Sequence, residues 1–293
     1  GVSRLYRPLE ADDTEAMREA LRSLGVLIDD NDDPWLVLGT GGDLEAVDAR
    51  VDVRASGTTA RFITAVAALA RGRVVVDGVP RMRERPIGPL VEAIRSLGAD
   101  ASDAGGYPPV EVNGTGVLRG GEVFVDSSQS SQFASALLLV SPLAETPTTI
   151  ELGEDVVSRP YLDGTVEIMR RFGAEVAVEG KRFVVQPTGY EKAHSDIEPD
   201  ASAAVYPAVA ATITGGVVEI PGIPAASTQP DLAVLDVLGV MGATVTRRDD
   251  MIRVEGPKGP LAAVDVDLSN APDGAMAVAV AALFADGPSR IHG

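Results

Sequence analysis

Four stretches of the chain are almost wholly apolar: "TTARFITAVAALA", "SQFASALLLV", "ASAAVYPAVAATI" and "GAMAVAVAALFA". They align through Gly57, Ser130, Ser202 and Gly274, and each opens on small, hydroxyl or acidic residues suited to capping a helix. A helix apolar on every side belongs in the interior, so the pattern predicts four buried helices. Four other segments carry apolar residues at helical spacing on one face only, and all end alike: "EALRSLGV" at Gly25, "EAIRSLGA" at Gly98, "EIMRRFGA" at Gly173 and "DVLGVMGA" at Gly242. Each glycine stands where a helix needs a left-handed residue to stop, and a β-rich run such as "AEVAVEGKRFVV" follows.

The glycines are spaced by 73, 75 and 69 residues, a period too regular for chance. Each repeat also carries a strand and loop before its glycine-terminated helix, as in "GRVVVDGVPRMRERPIGPL" and "TTIELGEDVVSRPYLDG". The repeating unit is therefore strand, helix, strand or hairpin, helix, strand, in roughly seventy residues, an α/β arrangement. The first residues read as the start of a unit, and "GPSRIHG" reads as the first strand of a fifth, so the chain is expected to be the central part of a longer one.

Composition narrows the chemistry. Without cysteine and with only His194 and His292, disulfides, thiolate metal sites and a cysteine nucleophile are excluded, and catalysis must rest on carboxylates, arginines, lysines and hydroxyls. The formal charge of -18 argues against a nucleic-acid partner. Abundant Asp beside only three lysines (Lys181, Lys192, Lys258) suits a protein working in concentrated salt, an expectation that loss of structure in dilute buffer would support. No apolar run is long enough to cross a bilayer, and the chain is read as cytoplasmic with no membrane partner.

Against that acidic background Arg81, Arg83 and Arg85 crowd into "RMRER", and Arg61 falls in the first turn of an apolar helix. An arginine among many carboxylates is ordinarily a surface ion pair. Arg61 and Arg85 depart from that reading: the first is set in an apolar helix, and Pro86 biases the second toward an extended backbone. Planar guanidiniums beside helix N-termini suit carboxylate or phosphate ligands.

Together "VPRMRERPIGPLVEAIRSLGA", "SSQSSQFASALLL", "VSRPYLDGTVEIMRRFGAEV", "EPDASAAVYPAVAA" and "APDGAMAVAVAALFADG" resemble the 5-enolpyruvylshikimate-3-phosphate synthase family over essentially all 293 residues. The resemblance implies an inside-out α/β barrel of repeated βαβαββ units in two lobes, with four of six units visible here. It implies enolpyruvyl transfer from phosphoenolpyruvate to the 5-hydroxyl of shikimate 3-phosphate by addition and elimination, without metal or other cofactor, in a monomer that is a glyphosate target. Carried over residue by residue, it sets Gly57, Arg61, Arg85 and Gln132 around phosphoenolpyruvate, with Arg81 and Arg83 either behind that site or at the surface. Ser130, Ser131, Gln132, Ser158, Tyr161 and Asp273 are implied for shikimate 3-phosphate. Asp273 would contact the ring hydroxyls and accept the 5-hydroxyl proton, with helix capping as its plainer role, and Asp200 is a further cleft aspartate.

Ala55 in "ASGT" replaces the asparagine usual in the family, removing one polar contact. A lysine-bearing "GSKS"-type start, a later glutamate and arginine, and a C-terminal arginine and lysine are not in these residues, so the segment alone is expected to bind without turnover and to associate through an exposed apolar edge. Two other readings stand beside this one: the related UDP-N-acetylglucosamine enolpyruvyl transferase, against which "SSQF" with "VSRPYLD" and the missing cysteine count, and a non-catalytic repeat scaffold. The polar stretch "SDIEPDASA" sets the expected lobe boundary near Glu198, giving residues 1–197 and 198–293.

Overall fold

Helices α1 (Asp12–Ser23), α3 (Gly88–Ser96), α5 (Arg159–Arg171) and α7 (Ala233–Val240) all stop in the same way. In this computed structural model, which describes residues 1–46 and 48–293, Gly25, Gly98, Gly173 and Gly242 each lie two residues past a helix with φ of +89°, +98°, +86° and +114°. Each glycine N–H returns to the carbonyl three residues back (Gly98 to Arg95, 3.0 Å), and the next N–H reaches five back (Ala99 to Ile94, 3.0 Å). That is one doubly bonded helix stop repeated four times, and the left-handed residue it requires is why glycine recurs.

The chain divides into two compact units, one of Gly1–Val157 with Thr165–Ile197, the other of Ser158–Gly164 with Glu198–Gly293. The first unit holds three sheets. In one, β5 (Ala49–Asp52) runs parallel to β6 (Ala70–Asp77), which pairs antiparallel with β8 (Val110–Thr115) and β8 with β7 (Asp100–Ser102); β4 (Leu44–Glu45) joins the start of β6. The next repeats the order: β9 (Gly121–Val125), β10 (Thr148–Leu152), β12 (Arg182–Val185), β11 (Val176–Glu179). The third orders β13 (His194–Asp196), β1 (Val2–Tyr6), β3 (Trp35–Leu38) and β2 (Leu27–Asp29), with Leu5 opposite Ser195 and Trp35.

Helix α2 (Gly57–Ala67) joins the parallel pair β5 and β6, and α4 (Gln132–Val140) joins β9 and β10. Both are packed inside as their apolar sequences predict: Ile63, Phe133, Leu137 and Leu138 are fully buried. On β12 the alternation puts Phe183 and Val185 inside, and burial of a side chain such as Phe183 stabilises by roughly 2–3 kcal/mol.

The second unit repeats the theme with β14 (Val217–Pro221), β16 (Met251–Glu255) and β15 (Thr244–Arg248), and with β17 (Asp265–Asp267) parallel to β18 (Arg290–His292). Its core gathers Val205, Ala208, Leu235, Leu238, Met241 and Val278. Here the expectation of four buried helices needs correction. Helices α6 (Ala201–Thr214) and α8 (Ala275–Ala282) bury one face only, and Tyr206, Met276, Val280, Leu283 and Phe284 are exposed, Leu283 at 82%. An apolar composition marks what a helix can bury; the neighbouring elements decide how much of it is covered.

Candidate active site

The entry to α2 is held from two sides. Ser56 caps the helix by accepting the Thr59 N–H at 3.2 Å. Two residues earlier Arg54 adopts φ +52°, donates its N–H to Asp52 (2.8 Å) and accepts the Val79 N–H at its carbonyl (3.0 Å). Its guanidinium reaches Glu15 (2.6 Å) and Glu19 (2.8 Å) on α1. The loop that presents Gly57 is thus tied both to α1 and to the loop after β6.

Arg61, one turn into α2, is only 3% exposed. Its Nη2 donates to the Pro86 carbonyl at 2.9 Å and its guanidinium lies over the Phe133 ring, 5.8 Å from the centroid. Nε and Nη1 are buried without a partner, and among the described residues no carboxylate lies within ion-pair distance of Arg61. Burial, followed by the neighbouring Arg85 charge, pushes its pKa down to about 10. Arg85 has the extended backbone expected before proline, φ -95° and ψ 129°. A Cβ built on Gly57 would run into both the Arg61 and the Arg85 guanidinium, so the glycine is what lets two cations share one notch at a helix N-terminus. The neighbours in the cluster behave differently: Arg81 pairs with Glu84, and Arg83 grips Asp77 with two bonds of 2.9 and 2.6 Å. Of the three arginines in "RMRER", only Arg85 is left without a carboxylate partner among the described residues.

The start of α4 lies alongside. Ser130 Oγ accepts the Gln132 N–H at 3.3 Å, Ser131 is buried at the cap position, and Gln132 Nε2 donates to Thr58 Oγ1 of α2 at 3.1 Å. Gln132 Oε1 and the Oγ of fully buried Ser127 have no partner. Three orphaned polar atoms where α2 meets α4 (Arg61 Nε and Nη1, Gln132 Oε1) are a costly arrangement unless a ligand or water completes it. The first unit therefore offers two cations, two helix N-termini and unspent hydrogen-bond capacity, which is the chemistry of an anion site.

The second unit carries a cluster of opposite sign. Ser158 sits at φ +55°, a left-handed conformation uncommon for a non-glycine residue, with its N–H on the Ser269 carbonyl at 3.2 Å. Tyr161 Oη donates to Asp231 Oδ2 at 3.0 Å, and Ser202 Oγ donates to the same oxygen at 2.9 Å. Burial first, then Asp231, Asp273 and Asp200, raise the Tyr161 phenol well above its ordinary pKa. Asp200 caps α6 by accepting the Ser202 N–H at 2.9 Å. Asp273 lies exposed in the 3-10 turn Pro272–Gly274, one residue ahead of Gly274 at the α8 cap position. Asp231 was not singled out from the sequence. The available signal was an aspartate in "TQPDLAVLDVL", next to an apolar helix, and it proves 3% exposed.

Among the described residues no group of three His, Cys, Asp or Glu side chains could hold a metal ion, and no helix is long and apolar enough to cross a membrane.

Comparison with known proteins is consistent over the full length. The family model described as EPSP synthase (3-phosphoshikimate 1-carboxyvinyltransferase) matches residues 1–293. The 3-phosphoshikimate 1-carboxyvinyltransferase of Serratia proteamaculans is 42% identical over 100% of this chain and 69% of its own length, and that of Cellvibrio japonicus 39% identical over 99% and 69%. Among solved structures, EPSP synthase from Acinetobacter baumannii superposes with a TM-score of 0.80 at 25% identity, covering 99% of this chain and 67% of that one.

Proposed function

We propose a function from one premise: the chain belongs to the EPSP synthase family. Its function is that of a 3-phosphoshikimate 1-carboxyvinyltransferase of the shikimate pathway, a transferase with the inside-out α/β fold of the family. The family's substrates are phosphoenolpyruvate and shikimate 3-phosphate, and neither the uridine-sugar transferase nor a repeat scaffold is favoured by the relatives.

At the level of residues, the observation that carries the reading is Arg61: a buried guanidinium with two unpartnered nitrogens, no carboxylate at ion-pair distance among the described residues, and Arg85 beside it. Phosphoenolpyruvate is a small dense anion, with a carboxylate and a phosphate both borne by one carbon of an enol. We assign it to Gly57, Arg61 and Arg85, with Gln132 at its edge. Ser130, Ser131 and Gln132 are assigned to shikimate 3-phosphate. In the second unit Ser158, Tyr161 and Asp273 are assigned to the same substrate, and Asp200 to a supporting place at the cap of α6.

The chemistry follows from charge. The 5-hydroxyl oxygen adds to the enol carbon bearing phosphate while the neighbouring carbon gains a proton. Loss of that proton and cleavage of the carbon–oxygen bond to phosphate then restore the double bond. Asp273 is suited to accept the hydroxyl proton, and guanidiniums in a water-poor notch stabilise the departing phosphate more than they would in water. The test is calorimetric titration of the chain with shikimate 3-phosphate and, separately, with UDP-N-acetylglucosamine. Saturable binding of the first alone is expected; binding of the uridine sugar instead would overturn the reading.

A further inference from the structure

We propose that Asp231 is a positioning residue that fixes the Tyr161 hydroxyl as a hydrogen-bond acceptor, so that Tyr161 receives a hydroxyl of the substrate and turns away phosphate and carboxylate oxygens. The proposal deepens the assignment of Tyr161 to shikimate 3-phosphate and rests on it.

The geometry is specific about protons. A carboxylate has lone pairs and nothing to donate, so both hydroxyls that meet Asp231 Oδ2, Tyr161 at 3.0 Å and Ser202 at 2.9 Å, must point their protons at it. A phenol has one proton. Once it is spent on Asp231, the Tyr161 oxygen can only accept, and its complement in a ligand is a donor. The hydroxyls of a carbocyclic polyol are donors; the oxygens of an ionised phosphate or carboxylate are not.

Asp231 is held firmly enough to impose this choice. It sits in the 3-10 turn Pro230–Leu232, and the flanking Gln229 is pinned three ways: Oε1 accepts the Ala201 N–H (2.8 Å), and Nε2 donates to Glu198 Oε2 (3.0 Å) and to the Pro199 carbonyl (3.0 Å). On the other side Arg247 Nη2 donates to the Leu232 carbonyl at 2.9 Å. The local field has the same sense, since Asp231, Asp200 and Asp273 all act on Tyr161 as negative charges. The cluster is therefore the reverse of the Arg61–Arg85 notch: one is built for anions, the other for the hydroxyl-bearing part of a ligand.

The test uses the full chain and four proteins: unaltered, Tyr161→Phe, Asp231→Asn and the double variant. Calorimetric affinity for shikimate 3-phosphate is expected to fall about fivefold in each single variant, the worth of one hydrogen bond, and no further in the double variant, because Asp231 acts on the ligand only through the Tyr161 hydroxyl. Losses that multiply in the double variant, or an Asp231→Asn protein that binds like the unaltered one, would overturn the proposal. A second readout is independent of ligand. Ultraviolet titration of the phenols, with Tyr161 identified by subtraction of Tyr161→Phe, should show it ionising later than exposed tyrosines (~10) and earlier in Asp231→Asn. Tyr161 ionising together with the exposed phenols in the unaltered protein would overturn the proposal even if Asp231→Asn failed to fold. Absence of shikimate 3-phosphate binding by the unaltered chain would instead count against the function, leaving the titration to decide on Asp231.

Discussion

Replacing Arg61 by methionine should stabilise the protein while removing its hold on phosphoenolpyruvate. The guanidinium is 3% exposed, and its pKa of about 10 lies below the ordinary ~12.5. At ~1.4 kcal/mol per pH unit, keeping that charge in the folded state costs on the order of 3 kcal/mol. Both states keep the proton below pH 10, so the cost is constant across neutral pH. Against its removal stand the bond from Nη2 to the Pro86 carbonyl and the contact over the Phe133 ring, together roughly 2 kcal/mol. The expected net gain is about 1 kcal/mol, a rise in Tm of about 2–3 °C for a chain this size. Thermal melts at pH 7.5, with and without phosphoenolpyruvate, check both halves. The unaltered protein should melt higher with the ligand, by mass action, and Arg61→Met should not respond. An Arg61→Met protein destabilised by 2 kcal/mol or more, or one still stabilised by phosphoenolpyruvate, would refute the reasoning that Arg61 is held uncompensated for an anion.

Three further outcomes follow from particular contacts. Gly57→Ala should weaken phosphoenolpyruvate about tenfold or more in a binding titration with little change in Tm, because the new methyl displaces two guanidiniums while the helical backbone tolerates alanine. The Arg83 bond holds the Asp77 carboxyl below its usual pKa, so this pair contributes stability above the ordinary carboxylate range and loses it as pH falls through the depressed value; urea midpoints should drop more between pH 7 and pH 3 in the unaltered protein than in Arg83→Gln, and parallel profiles would contradict this. Leu283→Ser with Phe284→Ser should lower light scattering at high concentration, since both side chains are exposed beside Met276 and Val280 on α8; unchanged scattering would clear that face.

Much of this was legible in the sequence because it is local. A helix stop is decided within six residues, so Gly25, Gly98, Gly173 and Gly242 announced four of them. The extended backbone of Arg85 is a steric consequence of its neighbour Pro86, and Arg61 stood out as a cation in an apolar helix. What could not be read is set by partners distant in the chain. Strand β13 pairs with β1 across nearly the whole first unit, Arg4 against His194, and no local pattern specifies that register. The open faces of α6 and α8 look no different in sequence from the covered faces of α2 and α4. Asp231 reads as one acidic residue among 43, and becomes distinctive only when Tyr161, seventy positions away, is brought to its oxygen.

The central claim is that the notch of Gly57, Arg61 and Arg85 receives phosphoenolpyruvate. Its most direct test is phosphorus NMR of phosphoenolpyruvate titrated with the chain in the presence of saturating shikimate 3-phosphate, repeated with Arg61→Met and Arg85→Ala. The expected result is a saturable change in the phosphoenolpyruvate resonance with the unaltered protein and none with either variant. A resonance that responds equally to all three proteins would place the anion elsewhere and contradict the claim.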